Sequence, residues 1–340
     1  MRTGRKSLAA VAAVVAAGAL LAGCGDGGGG DSDTAAPITG GPSIDPGLSG
    51  SVKVDGSSTV APLSTVAAEL FKGKASKVQV TVGTSGTGGG FEKFCRGDID
   101  IANASRPIKD TEKKACEGAG ITYDEFMVAN DALTVVVSKD NTWADCLTVA
   151  QLKKMWEPGS QVNNWNQVDP SFPNEPLKLF GAGTDSGTFD YFTEVINGKT
   201  QASRTDYSPS EDDNVTVQGV SGSKGGLGYF GFSYYEENMG KLKALKIDGG
   251  SGCVAPSVES AQNGTYKPLA RPLFVYPSAK ALTRPEVKAF VEFYVANNAQ
   301  IATESKFIPL NPTQEAELKA DLAKLTGAGA GAPVTSGQPK

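Results

Sequence analysis

The sequence predicts an α/β fold with mainly parallel sheets, divided into two domains. Strand-like segments alternate along the chain with segments whose apolar residues recur at helical spacing. Three turns rich in serine, threonine and glycine each follow a strand and precede a helix. The foldable region runs from residue 50 to about residue 326, which is long enough for two domains. Such alternation is typical of parallel strands that are joined by helices.

The first half of the foldable region has clear signals for each element. The stretch TVAPLSTVAAELF (59–71) has helical apolar spacing and Pro62 in its first turn, so it predicts a helix. The stretch FEKFCRG (91–97) predicts a second helix. Strands are expected at 51–54, 77–82, 98–105 and, as a buried strand, 131–138.

Capping residues mark the helices of the second half. In a capping box the first side chain and the fourth side chain each bond the other residue's backbone N–H. Three such pairs are expected to begin helices: Thr148 with Gln151, Thr283 with Glu286, and Asn311 with Gln314. A strand at 177–180 should lead through a turn into a helix at about 187–197.

Two apolar segments are the expected connections between the domains. The chain should cross first at LTVVV (133–137) and return at PLARPLFVYP (268–277). Domain I would then comprise residues 50–137 and 269–326, with domain II, residues 138–268, inserted between them. A connection with two crossings lets the domains hinge over a cleft.

The N-terminus predicts export. Three basic residues precede a short apolar run that ends in LAGC (21–24), so residues 1–23 have the pattern of a signal peptide. The LAGC segment resembles a bacterial lipobox, which would make Cys24 the lipidated first residue, although a plain signal peptide remains an alternative. Residues 24–49 are predicted to be a flexible tether, and residues 327–340 a disordered tail.

The charge balance limits the partners that the exported chain would bind. Without residues 1–23 it has 29 Lys and Arg against 37 Asp and Glu, a formal charge of −8. Nucleic acid is therefore not expected as a partner. An anionic ligand would have to be held by local dipoles, because the overall field opposes it.

The cysteines and the absence of histidine limit the chemistry. Cys95–Cys116 and Cys146–Cys253 are the favoured disulfides of the exported chain, with the two other pairings and free thiols left open. The chain has no histidine and no CxxC pair, so we expect no metal site and no cofactor. Catalysis by Ser-His-Asp or Cys-His groups is excluded for the same reason.

Turns at 55–59, 83–89 and 181–188 share one design and predict an oxyanion site. Helix N-termini after such turns present free N–H groups, hydroxyls add donors, and glycine lets the backbone come close to a ligand. In open α/β sheets, ligands bind at this carboxyl edge of the strands. Helix capping alone would explain Ser58 or Ser186 taken singly.

Arg106 ends a predicted strand at the same sheet edge as the second turn. Its guanidinium could grip two oxygens of a phosphate in a fork, and Pro107 would place it at a sharp exit from the strand. A surface salt bridge is the alternative.

Several motifs in order resemble the phosphate-binding lipoproteins of bacterial ABC transporters, the PstS family. They are VDGSSTVAPL, GTSGTGGGFEKFCRGDIDIANASRPI, LTVAQLKKMW, FGAGTDSGTFDYF, GLGYFGFSYY and RPLFVYP, and the similarity extends from about 51 to 310. The resemblance implies a type II periplasmic-binding-protein fold, in which two α/β domains joined by a two-crossing hinge close on one phosphate in the cleft. It also implies that the family's phosphate-holding groups correspond to Ser58, Thr59, Ser85, Ser186, Gly187 and Thr188.

This chain departs from the best-known branch of the family at two positions. Arg106 stands where that branch has aspartate, and Ala182 where it has arginine, so the cation is expected on the other domain. Discrimination against sulfate needs an acceptor for the phosphate proton. Asp185 is the candidate, with Asp55 as second choice, and a turn-forming role for Asp185 as the alternative.

The stretch GVSGSKGGLGYFGFSYY (219–235) is expected to pack closely against other backbone. Its aromatic residues should belong to the core rather than to a ligand platform: Tyr229, Phe230, Phe232, Tyr234 and Tyr235.

The sequence thus predicts a monomeric binding protein, lipid-anchored on the extracellular face of the cytoplasmic membrane. It would capture inorganic phosphate and deliver it to the permease subunits of an ABC transporter. Alternatives are a binding protein for sulfate, molybdate or tungstate, a phosphate-sensing or adhesive lipoprotein, and an exported phosphatase. The phosphatase is disfavoured because the chain offers no activated nucleophile beyond a bare serine.

Overall fold

The computed structural model describes residues 43–327. Four predicted features therefore lie outside the described residues: the signal peptide 1–23, the lipidated Cys24, the tether as far as residue 42, and the tail from residue 328. Among the helices of residues 43–327, none has the length and apolarity needed to cross a membrane.

Strands and helices alternate through the described region, as expected of an α/β fold. The strands are β1 (Ser49–Gly56), β2 (Lys77–Val82), β3 (Ile101–Ala104), β4 (Phe126–Ser138), β5 (Cys146–Thr148), β6 (Lys178–Ala182), β7 (Ser208–Ser210), β8 (Gly226–Gly231), β9 (Leu242–Ala244), β10 (Lys246–Asp248), β11 (Cys253–Val254) and β12 (Ala270–Pro277). The helices are α1 (Ala61–Lys72), α2 (Gly86–Cys95), α3 (Asp110–Gly118), α4 (Val149–Trp156), α5 (Trp165–Val168), α6 (Gly187–Phe192), α7 (Asp213–Ser221), α8 (Phe232–Glu237), α9 (Val258–Gln262), α10 (Pro285–Ala296), α11 (Asn298–Glu304) and α12 (Pro312–Gly327). A π-helical turn, Thr193–Asn197, continues α6 without a break, and a 3₁₀ turn, Ala281–Thr283, precedes α10.

The main sheet has the strand order β2-β1-β3-β12-β4-β8-β6-β7, with β9 also paired to β4. Pairing is parallel among β1, β2 and β3, and again among β6, β7 and β8. It is antiparallel wherever β4 or β12 takes part. The prediction of mainly parallel sheets is therefore wrong for the centre of the sheet, because the two crossing strands run in opposite directions between its halves.

Strand β4 belongs to both halves of the sheet. Its first part pairs with β12 through Ala132, and from Leu133 onward it pairs with β8. The backbone N–H of Leu133 donates to Leu269 O at 2.8 Å, just before β12 begins. In this structure β4 and β12 are therefore the strands that connect the two halves of the sheet. We call the half with β1–β3 and β12 lobe I and the half with β6–β8 lobe II; the predicted domain boundaries themselves stay a prediction.

Each lobe has its own apolar core. In lobe I, helices α1 and α10 cover the sheet with fully buried side chains such as Leu63, Phe71 and Phe290. In lobe II, buried Trp156 meets Tyr229 edge-on, and Tyr229 stacks on Phe192 with ring centroids 3.8 Å apart. The predicted core role of the aromatic cluster is confirmed, since its members are buried or pack against these cores: Tyr229, Phe230, Phe232, Tyr234 and Tyr235.

Two of the three predicted capping boxes are present. Gln151 N–H donates to Thr148 Oγ1 at 3.1 Å, and Gln314 N–H donates to Asn311 Oδ1 at 2.9 Å. The third, at Thr283 and Glu286, is wrong.

Helix α10 begins at Pro285, with Arg284 at its N-cap position and no side-chain cap. The Thr283 hydroxyl instead donates to Lys280 O at 2.8 Å. Proline keeps the preceding residue extended, so the helix begins one residue later than the capping pattern predicts.

Two residues of the segment predicted as a tether, Ile44 and Leu48, pack against the lobe I core. The folded region therefore begins a few residues before the predicted boundary at residue 50.

Both favoured disulfides are present in the structure. Cys95–Cys116 joins α2 to α3, and Cys146–Cys253 joins β5 to β11 in a small sheet of order β11-β10-β5. The second bond closes a loop with a sequence separation of 107 residues, so it excludes many conformations of the unfolded chain.

Replacing both Cys146 and Cys253 with alanine should lower the free energy of unfolding by about 4 kcal/mol. The effect should arise mainly from the unfolded state, because the Cys253 side chain is exposed and packs little. Urea unfolding followed by circular dichroism measures the change, with Ser251→Ala in the same loop as a matched control. A loss below about 1 kcal/mol would contradict the chain-entropy account.

Candidate functional site

The first two predicted turns are held together by the carboxylate of Asp55. Its Oδ1 accepts hydrogen bonds from Gly56 N–H at 2.7 Å, and from the backbone N–H and hydroxyl of Ser85 at 2.9 Å each. Its Oδ2 accepts from Lys93 Nζ at 2.5 Å. Asp55 therefore links the end of β1 to the N-terminus of α2.

Burial would raise the pKa of Asp55, but hydrogen bonds from Lys93, Ser85 and Gly56 outweigh it and lower that pKa. Four donors match the lone-pair sites of a carboxylate. Asp55 therefore joins the two turns in this structure rather than offering an acceptor to a ligand.

The first and third turns meet across the two lobes. The Thr59 hydroxyl donates to Gly187 O at 3.4 Å. A Cβ atom added to Gly187 would lie 2.7 Å from Thr59 Oγ1 and 2.8 Å from Thr59 N. Only glycine leaves room for this approach, so the structure brings all three predicted turns to one place and has the lobes in contact there.

Arg271 also lies at this contact and was not predicted as a site residue. Its Nη2 donates to Thr59 Oγ1 at 3.0 Å, and its Nε donates to Asp131 Oδ2 at 3.2 Å. Its guanidinium lies over the ring of Tyr191, 3.4 Å from the centroid. A cation is therefore placed against the Thr59 hydroxyl at the junction of the lobes.

The Arg271–Asp131 pair belongs to the two crossing strands. These residues lie opposite each other in the antiparallel pairing of β12 with β4, and their side chains are 12% and 7% exposed. Burial raises the pKa of Asp131, and the charge of Arg271 opposes that shift. The sequence signal that could have revealed the pair is a charged residue in each of two apolar segments: Asp131 in the predicted buried strand 131–138, and Arg271 in the returning segment 268–277.

Ser186 and Ser58, the two residues that helix capping could explain, have different roles in the structure. Ser186 Oγ caps α6 by accepting from Thr188 N–H at 3.1 Å, so the capping interpretation of Ser186 holds. Ser58 is not a cap, because α1 begins at Ala61 with Val60 at its N-cap position. Ser58 instead lines an open groove at the mouth of the lobe junction, together with Thr84, Asp185 and Gly187.

Asp185 is exposed at that groove rather than enclosed beside Thr59. Its backbone N–H donates to Glu211 Oε1 at 3.3 Å. Its role as acceptor of a phosphate proton stays a prediction.

Arg106 is engaged in the salt bridge that was the alternative to ligand contact. Its Nη1 and Nη2 donate to Glu112 Oε2 and Oε1 at 2.8 and 2.7 Å. The pair is partly buried, and the guanidinium holds the pKa of Glu112 below its usual value despite the opposing effect of burial. Ligand contact by Arg106 would require it to leave Glu112, and it stays a prediction.

Three acidic residues, Glu211, Asp212 and Asp213, precede and begin α7, and Glu211 contacts the third turn through Asp185 N–H. Burial raises the free energy of the ionised form of one of them, Asp213. Burial first, and then the charges of Asp212 and Glu211, raise the pKa of Asp213 to about 6. The folded state therefore favours protonated Asp213, so stability falls as the pH rises from about 4 to about 6, and the full cost remains at higher pH.

Asp213→Asn should therefore stabilise the protein by about 1–2 kcal/mol at pH 7.5 and by much less at pH 4.5. Asp212→Ala is the matched control, because Asp212 Oδ1 caps α7 by accepting from Asn214 N–H at 2.9 Å, and its loss should destabilise. Thermal unfolding at the two pH values measures both effects. An equal shift of Asp213→Asn at both pH values would contradict the assignment.

The chain is similar to known proteins over most of its length. Residues 41–298 match the model of the PBP superfamily domain. Protein SphX of Synechococcus elongatus is 53% identical over 262 residues, which cover 76% of this chain and 77% of that protein. The phosphate-binding protein PstS of Staphylococcus saprophyticus is 38% identical over 315 residues, 92% of this chain and 93% of that protein. The chain belongs to the PstS family.

A solved structure also resembles this member of the PstS family. It is that of a possible phosphate binding protein from Planctomyces limnophilus, with 49% identity and a TM-score of 0.79 over 82% of this chain and 99% of that one. The α/β periplasmic-binding-protein fold implied by the resemblance is thereby confirmed. The PstS family consists of substrate-binding proteins.

Proposed function

We propose that this protein captures inorganic phosphate between its lobes and delivers it to the permease subunits of an ABC transporter. One observation carries the proposal: three turns rich in hydroxyls and backbone N–H groups, drawn from both lobes, line one groove, where Thr59 contacts Gly187 and Asp55 holds Ser85. Such groups replace the hydration shell of a tetrahedral oxyanion. Phosphate is the anion for which the PstS relative and the solved structure from Planctomyces limnophilus are named.

The first two turns supply N–H donors at the start of α1 and α2, two helices of sufficient length to carry a dipole. The third supplies N–H groups and hydroxyls from the other lobe. The proposed phosphate contacts are those of the sequence prediction: Ser58, Thr59, Ser85, Arg106, Asp185, Ser186, Gly187 and Thr188.

Closure of the lobes links capture to delivery in this proposal. Phosphate that touches Thr59 on one lobe and residues 186–188 on the other favours the closed state by its differential affinity. The permease then distinguishes the closed, loaded protein from the open one. The protein acts as a monomer on the extracellular face of the cytoplasmic membrane, anchored by lipid at Cys24.

The proposal involves binding without turnover. The sequence has no histidine to serve as a general base, and Ser186 uses its hydroxyl to cap α6. Hydrolysis of p-nitrophenyl phosphate that is abolished by Ser186→Ala would support the phosphatase alternative instead.

The decisive experiment identifies the anion that the protein carries. Protein purified without added phosphate is denatured, and the released anions are separated by ion chromatography. We expect about one phosphate per chain, together with calorimetric phosphate binding by the emptied protein and no competition from sulfate. Release of sulfate, molybdate or tungstate would overturn phosphate as the ligand.

A further inference from the structure

An anion between the lobes needs a local positive charge. The exported chain has a formal charge of −8, and the third turn has Ala182 where a family arginine is expected. We propose that Arg271, on the returning strand β12, is the cation that holds the anion. This inference rests on the proposed function and changes the expected source of the charge from Arg106 to the hinge.

The other cations near the turns are already paired with carboxylates. Lys93 donates to Asp55 at 2.5 Å, and both terminal nitrogens of Arg106 donate to Glu112. Lys306, at the groove, pairs with Glu237 of the other lobe. Each pair is close to neutral, so an incoming anion would first have to displace a carboxylate from it.

Arg271 is paired in a different way. It meets Asp131 through Nε alone, and its Nη2 contacts a neutral hydroxyl, that of Thr59. A guanidinium has five N–H donors, and within residues 43–327 these two bonds are the ones that Arg271 makes. Its terminal Nη1/Nη2 edge, which suits two oxygens of one phosphate, is therefore not used by a carboxylate.

The guanidinium is also held firmly in place. Asp131 fixes one edge from the neighbouring strand β4, and the ring of Tyr191 lies beneath its plane. Tyr191 is itself positioned by the hydrogen bond from its hydroxyl to Pro268 O at 2.7 Å. With a side chain only 12% exposed, Arg271 acts in a weakly screened environment and loses little freedom on binding. Asp131 and Tyr191 are thus positioning residues for Arg271.

The location explains why this cation would respond to closure. Arg271 is on a crossing strand, its Thr59 partner is on lobe I, and Tyr191 comes from the helix after the third turn on lobe II. An anion that bridges Arg271 and Thr59 therefore binds where both lobes contribute contacts.

The test compares variants for which the fold is preserved. Arg271→Met alone would leave a buried carboxylate unpaired, so it is combined with Asp131→Asn, and the double variant is compared with Asp131→Asn alone. Isothermal titration calorimetry uses whichever of inorganic phosphate, sulfate and molybdate the wild type binds, and thermal unfolding checks folding. We expect the double variant to bind at least 30-fold more weakly than Asp131→Asn, and Arg271→Lys to bind about tenfold more weakly than wild type.

Arg96→Met is the matched control, because Arg96 is an exposed arginine that pairs with Asp98 and is not among the proposed contacts, and it should bind within about threefold of the wild type. Binding of the double variant within threefold of Asp131→Asn, or a loss in Arg96→Met as large as that in the double variant, would overturn the inference. If the wild type binds sulfate or molybdate but not phosphate, the proposed ligand fails while the role of Arg271 is still decided by the variants. If the wild type binds none of the three anions, both proposals fail.

Discussion

A Gly187→Ala protein should bind phosphate about 10- to 100-fold more weakly than the wild type. The added Cβ would lie 2.7 Å from Thr59 Oγ1 and 2.8 Å from Thr59 N. Because one of these atoms is backbone, the contact is relieved by separating the lobes rather than by turning a side chain. An overpacked contact of this kind costs about 1–3 kcal/mol, and this cost is paid only in the closed state.

Stability without phosphate should not fall in the same variant. Gly187 is the first residue of α6, and its backbone is not in the left-handed region. Alanine is about 1 kcal/mol more favourable than glycine in a helix, so the melting temperature should stay the same or rise slightly. The phosphate-induced rise in melting temperature should shrink, because it depends on the affinity.

Gly118→Ala is the matched control for Gly187→Ala. Gly118 ends α3, and nothing lies within 4 Å of a Cβ added there. Calorimetry gives the affinities of both variants, and small-angle scattering with and without phosphate reports closure. Wild-type affinity and compaction in Gly187→Ala would show that the Thr59–Gly187 contact is absent from the bound state.

A further polar contact joins the lobes outside the three turns. Lys306 pairs with Glu237, and its carbonyl accepts a hydrogen bond from Ser233 Oγ at 2.9 Å. Both side chains of the ion pair are about half exposed, so solvent screens it and it contributes at most about 1 kcal/mol. This ion pair therefore adds little to the free energy that holds the lobes together.

The three strand–turn–helix segments could be predicted from the sequence because the signals for them are local. A strand, a hydroxyl-rich turn and a helix lie within a short stretch of chain, so the three turns were found without knowing how the lobes pack. What brings the turns together is non-local: Ser85 on Asp55, and Thr59 on Gly187. A single sequence contains no direct signal for either contact.

Arg271 was missed for the same physical reason. Its significance depends on the register of β12 against β4, which places it opposite Asp131, and on the approach of Thr59. Arg106 was predicted as a ligand contact because proline follows it. In the structure both of its terminal nitrogens donate to Glu112, six residues later. The mixed pairing at the sheet centre was missed because strand direction depends on where the chain returns, not on the pattern of either strand.

A Gly56→Ala protein should lose about 4 kcal/mol of folding free energy. Gly56 has φ of +137°, a region that side chains rarely adopt, and an added Cβ would lie 2.2 Å from Asn103 O on β3. Strain of this kind costs about 1–3 kcal/mol, and the forced movement of backbone costs a similar amount. Urea unfolding measures the loss.

Gly97→Ala separates the two contributions. Gly97 also has positive φ, +76°, but the nearest atom to an added Cβ is Ile121 Cδ1 at 3.8 Å. This variant should lose only the backbone term, about 1 kcal/mol. Equal losses of folding free energy in the two variants would mean that the close packing of β1 on β3 does not contribute to the cost of Gly56→Ala.

The Gly56→Ala substitution should also weaken phosphate binding by the molecules that stay folded. Gly56 lies between Asp55, which holds the second turn, and Thr59, which meets the third turn and Arg271. Gly90 of α2 packs so closely on Gly56 that a Cβ added to Gly90 would lie 2.5 Å from Gly56 Cα. Any displacement of β1 therefore moves the first two turns apart. Calorimetry below the melting temperature should show weaker phosphate binding for Gly56→Ala than for Gly97→Ala. Equal affinities would show that the packing around Gly56 does not affect phosphate binding.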